Sequence, residues 1–175
     1  MDFFDIARTR YSYKHKFADT PVPLADIERI AAAGLSAPTG VNSQCASLII
    51  LGQDELRQLD AIVHTNAFAT APAAIALFTD PELQVGQHDF SMEDYAASTA
   101  TMLLGAVALG YVGLWLDGVF FDADNQRKAK ALLGIPDRCN LHIVIPIGHP
   151  AEEEPRRPKK PYEQRVSYGK YGQQK

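Results

Sequence analysis

The sequence predicts a single domain in which short apolar strands are interspersed with amphipathic helices, and three observations support that prediction. Its 175 residues fit one domain, and a domain of this size buries roughly 70% of the surface its unfolded chain exposes. Apolar runs of strand length, such as 47–51 and 73–78, are separated by segments whose apolar residues recur at helical spacing. No run reaches the roughly 18 uninterrupted apolar residues of a membrane span, and the opening MDFFDIARTR lacks the long apolar stretch of a signal peptide.

Taken in order, the chain begins with a turn followed by RYSYK, residues 10–14, where an extended backbone would aim Arg10, Ser12 and Lys14 to one side and Tyr11 and Tyr13 to the other. A helix enters through Pro23 with Leu24, Ile27, Ile30 and Ala31 on one face, and the stretch from Gly34 to Gly40 ends it. Residues 47–51, SLIIL, read as a buried strand. Asp54 is placed to cap a helix running to about Val63, and AAIALF, 73–78, is a second interior strand. Loop residues fill 80–91.

From 93 to 109, small and apolar residues occur on nearly every face, so this helix belongs at the centre of the domain or at a subunit contact, with Gly110 as its stop. YVGLWLDG predicts a third strand and DADNQRKAKALLG an amphipathic helix closed by Gly134. LHIVIPIG predicts a fourth strand ending at Pro146. The proline-rich, charged run AEEEPRRPKKP, 151–161, starts an extended tail, so one domain over 1–175 ends in a basic segment over 151–175.

The 17 Lys and Arg against 21 Asp and Glu give a net charge of −4, which argues against a nucleic-acid footprint and makes the basic residues informative only where they cluster. Two widely separated cysteines, Cys45 and Cys139, have no zinc-site or redox-dithiol spacing and fit a reducing cytoplasm. The chain has no Gly-x-Gly-x-x-Gly, no Walker loop, no nucleophile elbow and no metal-binding His pair. Cys45 stands directly before an apolar strand with no His nearby, and reads as a buried, inert thiol.

Three polar stretches remain. Arg10, Ser12 and Lys14 could grip a phosphate, although a solvated edge is the commoner use of such residues. SAPTGVNSQ, 36–44, has the Pro38 and Gly40 of a tight loop and the short hydrogen-bonding groups of Thr39, Asn42 and Gln44; it suits close approach to a flat ligand or a plain connection. Arg156, Arg157, Lys159 and Lys160 could fold back onto a phosphate or merely keep the tail soluble. Phosphate grips without catalytic side chains point to a cofactor that performs the reaction.

These residues resemble the nitroreductase family: RYSYK is similar to its Arg-x-Ser-x-Arg/Lys opening and SAPTGVNSQ to its Ala-Pro-Ser-x-x-Asn-x-Gln loop. AASTATMLLGAVALGYVGLWLDG is similar to its long central helix and following Gly-Leu-Gly, and IPIGHPAEEEPRRPKKPYEQRV to its closing strand and tail. The resemblance implies an α+β homodimer, a mostly antiparallel sheet flanked by helices, with FMN at the subunit interface and an extended basic tail that folds on its own subunit or is exchanged with the partner. It implies ping-pong transfer of hydride from NADH or NADPH, through flavin N5, to a nitroaromatic, quinone or similar small acceptor. It equally allows a flavin-dependent dehalogenase or dehydrogenase, or a flavin-binding module without turnover. No metal, nucleic acid or membrane is implied, and no side chain is catalytic.

By the same resemblance, Arg10, Tyr11, Ser12 and Lys14 meet phosphate, ribityl chain and pyrimidine edge, joined by Arg157 and Lys159 of the tail. Pro38, Thr39, Gly40 and Asn42 line the flavin, several from the partner chain. Asp117 and Gly118 pass the reactive edge, offering a backbone N–H to N5. The chain departs from the family in having Cys45-Ala46 for the usual Pro-Trp, Tyr11 for a second arginine, and little room for a helical excursion over 80–91.

Overall fold

The computed structural model describes residues 1–175. Four strands form one sheet in the order β1-β2-β4-β3, all antiparallel: β1 (Ala46–Leu51), β2 (Ala73–Thr79), β3 (Val112–Gly113) and β4 (Asn140–Gly148). Because side chains alternate along a strand, Ile75 and Leu77 of β2 and Ile143, Ile145 and Ile147 of β4 face one layer of helices, whereas Ala74, Ala76, Leu141 and Val144 face the other. The first layer holds α2 (Leu24–Leu35) and α5 (Ser91–Ala108), packed against each other. The second holds α3 (Gln53–Val63), α4 (Asn66–Thr70) and α6 (Ala123–Leu133). The expected α+β architecture, a sheet flanked by helices, is the one observed.

Several local expectations change. SLIIL is an edge strand, with Leu51 buried and Ile50 39% exposed, because only β2 pairs with it. Gly52, not Asp54, caps α3, and its N–H donates to the Glu55 carboxylate at 3.0 Å. Leu24 is 61% exposed at the first turn of α2, while Ile27, Ile30, Ala31 and Gly34 form the buried face. The third strand shrinks to two residues plus an isolated bridge between Leu116 and Val144. β4 runs past Pro146, where the missing N–H is not needed and the carbonyl accepts from Leu114 N–H at 3.2 Å. Helix α4, just after α3, had no distinct signal.

The ends of the chain lie side by side. After α1 (Phe3–Thr9), Ser12 forms a parallel bridge with Gly113, and Tyr13 N–H donates to Gly113 O at 3.1 Å, so the opening segment runs along the sheet beside β3. Phe17 bridges Pro150, Ala18 N–H donates to His149 O at 2.8 Å and Ala151 N–H to Lys16 O at 3.1 Å. Fully buried Tyr13 completes the join: its hydroxyl donates to Lys16 O at 2.6 Å and accepts from Ala151 N–H at 3.1 Å. Beyond Pro150 the chain has no strand or α-helix; a short turn at Tyr162–Gln164 is followed by further turns and bends over 165–172.

Candidate functional site

That join sets the geometry of the largest basic feature. A cavity of about 420 Å³ is lined by Arg10, Tyr11, Ser12 and Lys14 from the opening segment and by Arg157 and Lys159 from the tail. Arg8, Arg156, Pro155 and Glu154 complete its wall. None of Arg10, Lys14, Arg157 and Lys159 pairs with a carboxylate, although nine ion pairs exist elsewhere in the chain or at its rim. Concentrated, unpaired cations repel one another, so the cleft is favourable chiefly when an anion occupies it. Glu154 is the one acid in the wall, and its carboxylate accepts from Lys14 N–H at 3.2 Å and lies 3.8 Å from His15 Nε2. With the His15 contact to Glu152 at 3.0 Å, it holds the tail in place.

Tyr11 lies in this wall, not behind it. Its ring carries the Arg156 guanidinium 5.1 Å from the centroid, so a cation of the tail is seated in the wall on an aromatic face.

The second predicted group lies apart within one chain. Pro38, Thr39, Gly40 and Asn42 form a loop against the first turn of α5; Pro38 and Asn42 are exposed, and Thr39 borders a separate cavity of about 190 Å³ with Gln44 and Ser98. Val41, Asn42 and Gln44 have φ of 48°, 57° and 50°, left-handed values that are costly for non-glycine residues and most of all for a β-branched valine. Gly40 is required by packing: a Cβ there would stand 2.2 Å from Phe90 Cγ. Gln44 braces the loop through its backbone N–H, which donates to Thr39 Oγ1 at 3.2 Å.

Asp94, unnoticed in the sequence, holds this strained loop. It is 2% exposed, and its carboxylate accepts from Gly40 N–H at 2.7 Å, Ser43 Oγ at 3.0 Å and Cys45 Sγ at 3.3 Å. The only signal was an acid at the start of a helix otherwise made of small residues. Burial first, and then the hydrogen bond to Asp94, push the Cys45 thiol up to about 11, so it is an inert thiol as the sequence suggested. Cys45 thus gives Asp94 a side-chain donor at the position where the family's usual proline has none.

The Asp117 carboxylate turns inward, accepting from Trp115 Nε1 at 2.8 Å and from Tyr95 OH at 3.4 Å. Its backbone N–H has no acceptor in the chain. Asp117 stands four positions after Gly113, the partner of Ser12, at most about 13 Å along the chain. The phosphate-type grip and this free N–H thus lie along one edge of the sheet. Gly118 is exposed and opens the short turn Gly118–Phe120.

The model of the nitroreductase family matches residues 7–81, which include the opening motif and the 36–44 loop. A protein of Archaeoglobus fulgidus, named as a candidate NADH dehydrogenase/NAD(P)H nitroreductase, is 30% identical over 140 residues, covering 79% of this chain and 80% of that one. A crystal structure of a similarly named protein from Parabacteroides distasonis superposes with a TM-score of 0.84 over 97% of this chain and 98% of that one, at 22% identity. A nitroreductase-type protein from Desulfovibrio desulfuricans, solved in complex with FMN, gives a TM-score of 0.78 at 25% identity over 93% of this chain and 98% of that one. Fold, motif order and sequence agree, and the chain belongs to the nitroreductase family, a family of oxidoreductases.

Proposed function

We propose that the chain is an FMN-dependent NAD(P)H oxidoreductase that works as a homodimer and reduces a small organic acceptor of the nitroaromatic or quinone kind. The observation behind this reading is the cavity in which Arg10, Lys14, Arg157 and Lys159 converge, none of them ion-paired and with Glu154 the one acid in the wall. A phosphate dianion suits such a site: guanidinium and ammonium groups donate charge-assisted hydrogen bonds, and Ser12 adds a hydroxyl. The FMN found in the Desulfovibrio relative supports the choice of anion.

When bound, FMN would supply two-electron chemistry at N5, which no side chain of this protein offers. The chain's own contributions are positional and electrostatic. Lys14, nearest in sequence to the pyrimidine end of the proposed site, would stabilise negative charge there, and the Asp117 N–H, held by the Trp115 and Tyr95 contacts of its carboxylate, would donate toward the reactive edge. Pro38, Thr39, Gly40 and Asn42 would close the ring slot from the second subunit, since within one chain none of them lines the basic cleft. Support for a dimer comes from the termini: α1 buries no residue of its own, Phe3 and Phe4 are 63% and 74% exposed, and Tyr171 is fully exposed. Two buried free thiols, Cys45 and Cys139, suit a reducing cytoplasm, and no helix is long and apolar enough to cross a membrane.

The test is direct. Purified protein should be yellow, bleach with NADH or NADPH under anaerobic conditions, and recover its colour on addition of menadione or a nitroarene. A colourless protein that leaves added FMN free defeats the proposal. Bound flavin that neither nicotinamide reduces would leave a flavin-binding module in its place.

A further inference from the structure

The basic cleft carries more positive charge than one phosphate uses. Six cations line it, Arg8, Arg10, Lys14, Arg156, Arg157 and Lys159, against the single carboxylate of Glu154. A phosphate monoester brings about two negative charges near neutral pH, so roughly three positive charges are left over in the wall. The whole chain has a net charge of −4, which makes this surplus a local feature and not a property of the surface at large.

The six cations are not held alike. Arg10, Lys14, Arg157 and Lys159 have no ion-pair partner and form the group described above for the flavin phosphate. Arg156 is instead seated on a ring, its guanidinium 5.1 Å from the centroid of Tyr11. An aromatic face orients a guanidinium without using its N–H donors, so the planar fork stays free for an oxyanion. Pro155 and Pro158 flank Arg156 and Arg157 and restrict the backbone there, which lowers the entropy lost when an anion is gripped. Arg8, in the last turn of α1, pairs only with Asp5, and both side chains are exposed, so that pair is weak and yields to a more highly charged anion.

The cleft also stands at a useful distance from the reactive edge. Ser12 of its wall bridges Gly113, and Asp117 follows within at most about 13 Å of chain. A dinucleotide laid along this edge of the sheet can present its nicotinamide to the Asp117 segment while its adenosine end stays at the cleft. NADH and NADPH differ in one group, the 2′-phosphate of that adenosine end, and a surplus of positive charge is what tells them apart.

We propose that Arg156, with Arg8 beside it in the wall, receives the 2′-phosphate of NADPH and makes NADPH the preferred donor over NADH; the inference rests on the reading of the chain as an FMN-dependent NAD(P)H oxidoreductase. Arg156 supplies the bidentate contact and is the specificity-determining residue, and Arg8 adds charge from α1.

The test uses FMN-loaded protein, in which the flavin phosphate already occupies its own cations. Adenosine 2′,5′-bisphosphate, 5′-ADP and 5′-AMP are titrated into it by calorimetry at low ionic strength. The 2′,5′-bisphosphate should bind about tenfold more tightly than either of the others, with the margin shrinking in high salt. Arg156→Gln should bring the margin to within about threefold, and Arg156→Lys, which keeps the charge but not the fork, should fall between. In turnover, the ratio of kcat/KM for NADPH to that for NADH should be about ten and should drop in Arg156→Gln in step with the titration, through KM for NADPH and not through kcat. Because 5′-ADP matches the bisphosphate in phosphate count, equal binding of the two overturns the site and leaves a diffuse positive field. A donor ratio near one, or a ratio that Arg156→Gln does not move, overturns the assignment while bleaching by both nicotinamides keeps the proposed function standing. A protein that binds no FMN defeats the proposed function, and this inference with it.

Discussion

Replacing Asp94 is the most searching perturbation of the site, because one buried carboxylate holds a loop that otherwise has little reason to keep its shape. It receives Gly40 N–H at 2.7 Å, Ser43 Oγ at 3.0 Å and Cys45 Sγ at 3.3 Å. A hydrogen bond to a charged group contributes about 1.5 to 3 kcal/mol, but the Ser43 hydroxyl can rotate to another partner and a thiol is a weak donor, so most of the loss falls on Gly40. Asp94→Ala should therefore cost about 3 kcal/mol. Asp94→Asn keeps an oxygen for Gly40 N–H and offers an amide to Ser43 Oγ, so it should cost about 1 to 2 kcal/mol. Urea unfolding reads the difference as a shift of midpoint at constant slope. A thiol reagent supplies an independent readout: removing the carboxylate takes away its hydrogen bond while burial, the larger cause, stays, so the Cys45 pKa should fall only part of the way from about 11 and its modification at pH 8 to 9 should quicken modestly. FMN affinity should fall in both variants, because Val41, Asn42 and Gln44 would relax from their left-handed conformations. A midpoint shift for Asp94→Ala worth less than about 0.5 kcal/mol, with Cys45 as unreactive as before, would refute the view that this carboxylate anchors the loop.

Arg10→Ala should weaken FMN binding by about 1.5 to 3 kcal/mol, roughly tenfold to 150-fold in Kd, and equilibrium dialysis that finds unchanged affinity would remove Arg10 from the site. Gly40→Ala puts a methyl group 2.2 Å from Phe90 Cγ, and the displacement should cost about 1 to 3 kcal/mol in thermal or urea unfolding, with partial rescue by Phe90→Ala. Stability should also depend on the Cys45 thiol. With a folded value of about 11 against 9.0 unfolded, the neutral thiol's contribution is intact below pH 9 and is lost as pH rises toward 11, by about 2 to 3 kcal/mol, and Cys45→Ser should flatten that slope.

The sequence by itself determined most of the helices and strands, though not α4 or the short third strand, and it singled out the two polar clusters. Apolar runs at strand length, the helical spacing from Leu24 to Leu35 and the terminators Gly110 and Gly134 are local signals, and local conformational preference acts on them directly. Residue type and alternation alone put Arg10, Ser12 and Lys14 on one side and left two uses for them, an anion grip or a solvated edge. The partnership of that grip with Arg157 and Lys159 was legible only through resemblance, because about 140 residues of chain lie between them.

Tertiary structure decided what depends on long-range contact. The Tyr13 hydroxyl and the Phe17–Pro150 bridge bring the two basic ends into one wall, and Tyr11 finds Arg156 there. Asp94 carries no local pattern as a ligand of three groups 49 to 54 residues away. His142 is turned toward Tyr95 by a bulge that strand alternation cannot foretell. The common reason is that side-chain type fixes what a group can bind, while only the packed sheet and its two helix layers fix which groups meet.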